Sequence, residues 1–173
     1  MKYKALISTI SIMIIAFSSL AQVTGTFIDV RDSIVYKTVQ MDGQIWMAEN
    51  LKYKTDSNSW CYDNNDSLCL KYGKLYSWEV AKKACPCGWH LPNDQEWQTM
   101  EIEGNVSDII LGGYRIANDV YIDKDYNGYW WSSSGYYVLY NWNRYMNYFD
   151  SWSQRYMNNL NKNSGLSVRC VKD

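Results

Sequence analysis

The sequence predicts an α+β domain built on an antiparallel sheet, with two short helices and a long, loop-rich C-terminal half. Three observations carry this. An Asp-Gly pair stands between β-prone runs near the start, two helical patterns are confined to residues 76–100, and helix signals vanish after Leu111. Strands first, helices in the middle and strands last is the order of an α+β chain rather than of alternating βαβ units.

The first element is excluded from the fold. Lys2 and Lys4 precede a mostly apolar stretch, Ala5 to Leu20, and small residues follow at Ser19-Leu20-Ala21. This is the pattern of a secretory signal peptide, residues 1–21, cleaved after Ala21. Ser8, Thr9, Ser11, Ser18 and Ser19 interrupt the stretch, which falls short of the roughly 20 clearly apolar residues of a membrane span. No stable span is expected after cleavage, and no cysteine stands at the cleavage point to take a lipid anchor. Residues 22–173 are expected to form a single exported domain, held at the outer surface, in the periplasm or secreted.

Thr26 to Leu51 alternates like strand, and Asp42-Gly43 between Tyr36-Lys37-Thr38-Val39 and Gln44-Ile45-Trp46 predicts a hairpin. Lys52 to Lys71 is rich in Asn, Asp and Ser and reads as loop. A first helix is expected over Tyr76 to Ala84, with a Lys pair near its C-terminus. The second has Asn93 as N-cap and Glu96 three residues on to close a capping box, with Trp97 and Met100 as its apolar stripe. Trp89, Leu91 and Trp97 are expected in the core. Gly112-Gly113 and Asn127-Gly128 mark turns, Tyr129-Trp130-Trp131-Ser132 reads as strand, and Leu166 to Val171 as a closing strand.

An exported chain meets an oxidising compartment, which permits disulfides between its five cysteines. Cys61 and Cys69 share one polar segment, and Cys170 needs a distant partner, either Cys85 or Cys87. We take the pairs as Cys61–Cys69 and Cys85–Cys170, with Cys87 free. Cys85-Pro86-Cys87 followed by His90 has the wrong spacing for a zinc knuckle, and His90 is the sole histidine.

These blocks resemble a known family. TVQMDGQIWMAENLKY at 38–53, CYDNNDSLCLKYGKLYSWEVAKKACPCGWHLPNDQEW at 61–97, GYWWSSS at 128–134 and GLSVRCVKD at 165–173 are similar, in order, to the Fibrobacter succinogenes major paralogous domain family. The resemblance implies an exported bacterial protein, of a family with no general biochemical activity established. The helix after WHLP and the terminal RCV strand look like the C-type-lectin-like or sulfatase-modifying-factor type of fold, in which a helix cysteine and a last-strand cysteine are often bridged. That agrees with Cys85–Cys170. Cys87 departs from the family pattern, which supports its being the unpaired thiol.

Composition points to function. A net charge of −1 offers no basic field for nucleic acid. Nine Trp and sixteen Tyr against three Phe is not ordinary core filling, because Tyr and Trp carry a polar tip that wants water or a partner. The bias concentrates between Tyr126 and Asn163, where 38 residues hold eight Tyr, four Trp, eight Asn and five Ser. Rigid rings with adaptable amides and hydroxyls are the composition of recognition surfaces, and they suit sugar faces equally. Trp130 and Trp131 are expected to pack inside. Tyr136, Tyr137, Tyr140, Trp142, Arg144, Tyr145, Tyr148, Trp152 and Tyr156 are the candidate ligand-binding residues, with Arg155 beside them.

The expectation is therefore a cell-envelope binding module, lectin-like and adhesive in character, recognising a glycan or a surface protein. The alternative is a structural envelope protein that assembles with itself. An enzyme related to sulfatase-modifying factors ranks below both: His90 near Cys87, or Glu49 with Glu96, could be named as catalytic pairs, but no catalytic residue is assigned. No cofactor or metal is expected. Calcium alone stays open, because Asp63 to Asp66 and Asp119, Asp123 and Asp125 cluster oxygen ligands without fitting an EF-hand loop.

Overall fold

The computed structural model describes residues 24–41, 43–103, 109–135, 141–147, 154–156 and 161–173, with 141–147 and 154–156 described by their backbone. Residues 1–21, expected as a signal peptide, lie outside these residues. Among them, no helix is long and apolar enough to cross a membrane.

β1 (Thr24–Asp29) and β2 (Ile34–Met41) pair antiparallel. Asp29 closes their turn: its buried carboxylate accepts the Arg31 backbone N–H and, at 2.6 Å, the guanidinium Nη2. Burial alone would raise this carboxyl, but Arg31 outweighs it and holds Asp29 below the usual range. β2 returns as β3 (Gln44–Met47), with Met41 opposite Gln44. Gly43 there adopts φ +77°, the left-handed conformation an Asp-Gly hairpin requires.

The segment expected as loop contains β4 (Ser59–Trp60), a 3-10 turn at Tyr62–Asn64 and a third helix, α1 (Asp66–Tyr72). Asn65 caps α1 by accepting the Ser67 N–H at 2.9 Å. The Cys61–Cys69 disulfide ties the turn to the helix. Gly73 ends α1 at φ +78°, and a Cβ there would come within 2.6 Å of the Asn50 Cβ. Seven residues that follow an Asn- and Asp-rich run thus become helical because cap, staple and glycine stop enclose them.

The next helix, α2 (Trp78–Ala84), starts later than expected because Tyr76 belongs to β5 (Leu75–Tyr76), where it is fully buried opposite Leu166. After β6 (Trp89–His90) comes α3 (Asp94–Glu103). Its capping box forms as expected. Asn93 Oδ1 accepts the Glu96 N–H at 3.0 Å, and Glu96 Oε2 accepts the Asn93 N–H at 2.7 Å.

Past residue 111 the loop-rich expectation is corrected, since strands dominate the described residues. β7 (Tyr114–Ile116) and β8 (Val120–Ile122) form a small hairpin, followed by β9 (Asn127–Gly135), β10 (Asn141–Asn147) and β11 (Gln154–Tyr156). The closing strand is two strands, β12 (Leu166–Ser167) and β13 (Val171–Lys172), each in a different sheet. The five-stranded sheet runs β1-β2-β3-β13-β6, and the six-stranded sheet runs β11-β10-β9-β12-β5-β4. The second is mixed rather than purely antiparallel, because β12 pairs parallel with β9. Sequence polarity shows neither the split nor the parallel pair; both follow from one short tail hydrogen-bonding to both sheets.

Two apolar clusters fill the interior. The larger gathers Tyr36, Met47, Leu51, Tyr76, Ala81, Leu91, Trp131, Leu166 and Val168. The smaller gathers Val39, Met41, Trp46, Trp97, Trp130 and Val171. Trp89, Leu91 and Trp97 are buried, as expected. Cys85–Cys170 bridges the end of α2 to the tail between β12 and β13. Cys87 is free and exposed. Among the described residues the result is an α+β architecture with three short helices.

Candidate functional site

The route to the candidate site runs through β9. Tyr129, Trp130, Trp131 and Ser132 are consecutive and all buried, so this strand is covered on both faces. Trp130 donates its indole N–H to Asn50 Oδ1 at 2.7 Å, and Trp131 donates to the Tyr76 carbonyl at 2.6 Å. β9 is thereby fixed to the interior. β10 pairs with it and β11 pairs with β10, ending the six-stranded sheet.

Along this ribbon Arg144 stands opposite both Trp130 and Arg155, and Tyr145 stands opposite Tyr129 and Gln154. Asn143 stands opposite Trp131 and Tyr156. The β9–β10 register shifts between Asn141 and Asn143, which puts Trp142 at an irregularity. Of the candidate ligand-binding residues, Trp142, Arg144, Tyr145 and Tyr156 therefore lie on the two outermost strands of one sheet. Tyr136, Tyr137, Tyr140, Tyr148 and Trp152 lie outside the described residues.

A second polar region was expected only as scattered calcium-type oxygens. The fold brings the two runs together at the 3-10 turn and the β7–β8 hairpin. Tyr121 Oη donates to Asn64 Oδ1 at 2.9 Å, and the Tyr62 and Tyr121 rings lie 5.2 Å apart. Three of the carboxylates are occupied by the protein itself. Asp119 accepts from Arg115 at 2.7 Å, Asp123 from Tyr129 Oη at 2.6 Å, and Asp125 from Tyr72 Oη at 2.6 Å. The Tyr72 hydroxyl, with Lys124 and Lys71, holds Asp125 below the usual carboxylate range. Among the described residues, no three His, Cys, Asp or Glu side chains converge as a metal site. Asp63, Asn64, Asp119, Asp123 and Asp125 all adopt positive φ, a conformation Asp and Asn tolerate better than most side chains.

The residues named for enzyme readings have structural partners. His90 Nε2 lies 2.8 Å from Glu96 Oε1 and Nδ1 lies 2.6 Å from Asp173 Oδ1. Burial would lower its pKa, but the two carboxylates prevail and raise it. Glu96 is also the capping-box carboxylate and accepts from Gln44 at 3.2 Å. Glu49 accepts the Lys37 N–H at 2.8 Å and Lys52 Nζ at 3.0 Å. The Cys85 sulfur is in a disulfide, so the Cys85–Cys87–His90 run does not present two thiols.

The stretch from the β2–β3 hairpin through the WHLP turn to α3, including Cys61–Cys69 and Cys85, carries the sequence blocks noted above. Residues 39–108 match the Fibrobacter succinogenes major domain family. No curated protein and no solved structure matches the chain. The Fibrobacter succinogenes major domain match contains Trp46, Trp97, His90 and the first disulfide, and stops short of β9 and the tail. The GYWWSSS and GLSVRCVKD blocks and the aromatic ribbon thus lie beyond the matched stretch.

One group escaped the sequence reading altogether. Arg169 is buried in the tail, and its guanidinium Nη2 donates to the Ala48 carbonyl at 3.0 Å. Burial pushes its pKa down to about 10. The only sequence signal is an arginine inside the apolar run Leu166 to Val171, flanked by Val168 and Cys170.

Proposed function

We propose that this chain is an exported cell-envelope binding module, lectin-like in character, that recognises a glycan or a surface protein through the Tyr/Trp/Asn-rich strands β10 and β11. The observation that carries the reading is the division of labour along one sheet. The rings of β9 belong to the core, whereas the next two strands continue outward to the sheet edge with Trp142, Arg144, Tyr145 and Tyr156 among Asn and Gln residues. Recognition surfaces gain affinity when aromatic anchors sit on rigid elements, because little entropy is lost on binding. Two disulfides fit an oxidising compartment.

The test is an array of bacterial, plant and host glycans with host surface proteins, probed with residues 22–173 in calcium and in chelator. A specific hit that disappears in the combined variant Trp142→Ala, Tyr145→Ala and Tyr156→Ala is the expected result. A hit that survives it sinks the assignment of these strands.

A second reading, self-assembly, rests on a different observation. The outer hairpin of the five-stranded sheet exposes Ile28, Val30 and Val35, and Ile28 stands opposite Val35. Exposed apolar pairs at a sheet edge invite strand pairing between copies. This reading expects concentration-dependent sedimentation that Val35→Lys abolishes; a monomer at all concentrations removes it.

A further inference from the structure

Lys74 is buried in the short link between α1 and β5, where its backbone N–H donates to the Leu51 carbonyl at 2.9 Å. Its ammonium Nζ lies 3.3 Å from Cys61 Sγ. Asp66 Oδ1 lies 3.4 Å from the same sulfur. A cation and a carboxylate therefore meet at one sulfur of the Cys61–Cys69 bond.

Neither group is well served by a disulfide. Its sulfur is a weak acceptor for an ammonium and has no proton to give a carboxylate, so the Asp66 approach is a contact without a hydrogen bond. Among the described residues, no carboxylate comes within ion-pair distance of Lys74 Nζ. Burial lowers the Lys74 pKa, and Asp66, which favours the ammonium from farther off, does not make up the difference.

Reduction changes both relations. A Cys61 thiolate gives Lys74 a full counter-charge, and a Cys61 thiol gives Asp66 a donor. Of the two charges, Lys74 acts more strongly on the sulfur, because it is buried while Asp66 is exposed and screened by water. A cation beside a cysteine favours its thiolate. Whatever stabilises the reduced form of a cysteine pair makes its disulfide easier to open.

The second disulfide lacks these features. Cys170 is fully buried in the larger apolar cluster with Cys85 packed against it, and among the described residues no side chain hydrogen-bonds to either sulfur. Apolar burial disfavours a thiolate.

We propose that Cys61–Cys69 is the redox-exchangeable bond of this domain, opened by a dithiol reductant, with Lys74 holding the Cys61 thiolate that leaves. One thiolate of the reductant attacks Cys69 Sγ. The Cys61–Cys69 bond breaks, a bond from the reductant to Cys69 forms, and the electron pair of the broken bond goes to Cys61. The second thiol of the reductant then loses its proton and closes on its own bound sulfur. That releases Cys69, which takes up a proton. The reductant leaves as a cyclic disulfide, oxidised by two electrons, and the cysteine pair is reduced by two. Burial of both sulfurs slows this exchange without moving its equilibrium. Opening the bond unties the 3-10 turn from α1, while Cys85–Cys170 keeps the tail on α2. The device is independent of the glycan reading.

The test equilibrates residues 22–173, carrying Cys87→Ser to remove the free thiol, in buffers of reduced and oxidised dithiothreitol. Free thiols are trapped by alkylation and assigned by peptide mass. Cys61 and Cys69 should open at a lower ratio of reduced to oxidised dithiothreitol than Cys85 and Cys170. Lys74→Met should raise the ratio needed for the first pair by about tenfold, the scale of one hydrogen bond to a charge, and leave the second pair unchanged. A second measurement needs no change at Lys74. In the Cys69→Ser, Cys87→Ser variant Cys61 is the single thiol, and its thiolate absorbance should rise at a pH below the ordinary thiol value of about 8.5. Should Lys74→Met fail to fold, that titration decides the matter. The proposal is overturned if Cys85–Cys170 opens first or together with the other bond, if Lys74→Met folds and leaves the ratio unchanged, or if Cys61 ionises at or above the ordinary value.

Discussion

Within one six-stranded sheet, β9 and its outer neighbours β10 and β11 carry the same aromatic residue types at different distances from the sheet edge. Tyr129, Trp130 and Trp131 are buried, and both indoles are hydrogen-bonded inside the protein. Trp131 shares the larger cluster with Leu166, Val168, Ala81, Ala84, Tyr36 and Tyr76, and Trp130 packs in the smaller one with Val39, Met41, Trp97 and Val171. On β10 and β11 the neighbours in sequence are Asn141, Asn143, Arg144, Asn147, Gln154 and Arg155. A ring becomes core when its neighbours exclude water, and its own identity does not decide this.

The sharpest break of that comparison is Trp131→Ala. Removing a fully buried indole, and orphaning the Tyr76 carbonyl, should cost about 3–5 kcal/mol in equilibrium denaturation. A loss below about 1 kcal/mol would mean that β9 is not the inner strand. Next come the staples. Replacing Cys85 and Cys170 by Ser opens a separation of 85 residues and should cost about 4 kcal/mol, more than replacing Cys61 and Cys69, separated by 8. Urea midpoints for the two double variants give the order directly, and a reversed order contradicts this account of the scaffold.

A finer contrast lies between two buried tryptophans. Trp131→Phe removes a satisfied hydrogen bond and should cost about 1–2 kcal/mol beyond the change in packing. Trp97→Phe removes a donor without a hydrogen-bond partner among the described residues, so it should cost no more than the change in packing. Equal losses in the two variants would show that the Trp97 N–H has a protein partner after all.

The smallest effect expected is at His90. Its pKa is raised, so its pairing with Glu96 and Asp173 contributes fully below the unfolded value near 6.5. The contribution is lost as pH rises through the higher folded value. The imidazole is 39 % exposed, and solvent screening limits the effect to a few tenths of a kcal/mol. Denaturation midpoints should fall between pH 6 and pH 8.5 for the wild type relative to His90→Gln. Parallel profiles would show that the pairing has no bearing on stability.

What the sequence made legible was local. The α3 capping box, the Asp-Gly hairpin and the Cys61–Cys69 loop each depend on residues at most eight apart, so composition and spacing reveal them. The burial of Trp130 and Trp131 was also readable, from their place in the GYWWSSS block that resembles the family. α1 was missed because it is only seven residues long and follows a run of Asn and Asp, and it is held by a cap and a disulfide rather than by a long apolar stripe. The tail was read as one strand because alternation cannot tell which sheet each half joins. Arg169 was invisible for a related reason: Leu166 to Val171 is buried on both sides between two sheets, and burial of both faces erases the polarity signal. At the candidate site, the sequence supplied the residue types for β10 and β11, and the fold supplied their place at the sheet edge.

The most direct measurement of the central claim sets stability beside binding in one variant. Trp142→Ala, Tyr145→Ala and Tyr156→Ala together should leave the thermal midpoint within a few degrees of the wild type while abolishing binding to whichever glycan or protein the array reveals. A variant that unfolds, or one that binds as the wild type does, would contradict the claim that the inner strand holds the fold and the outer strands meet the ligand.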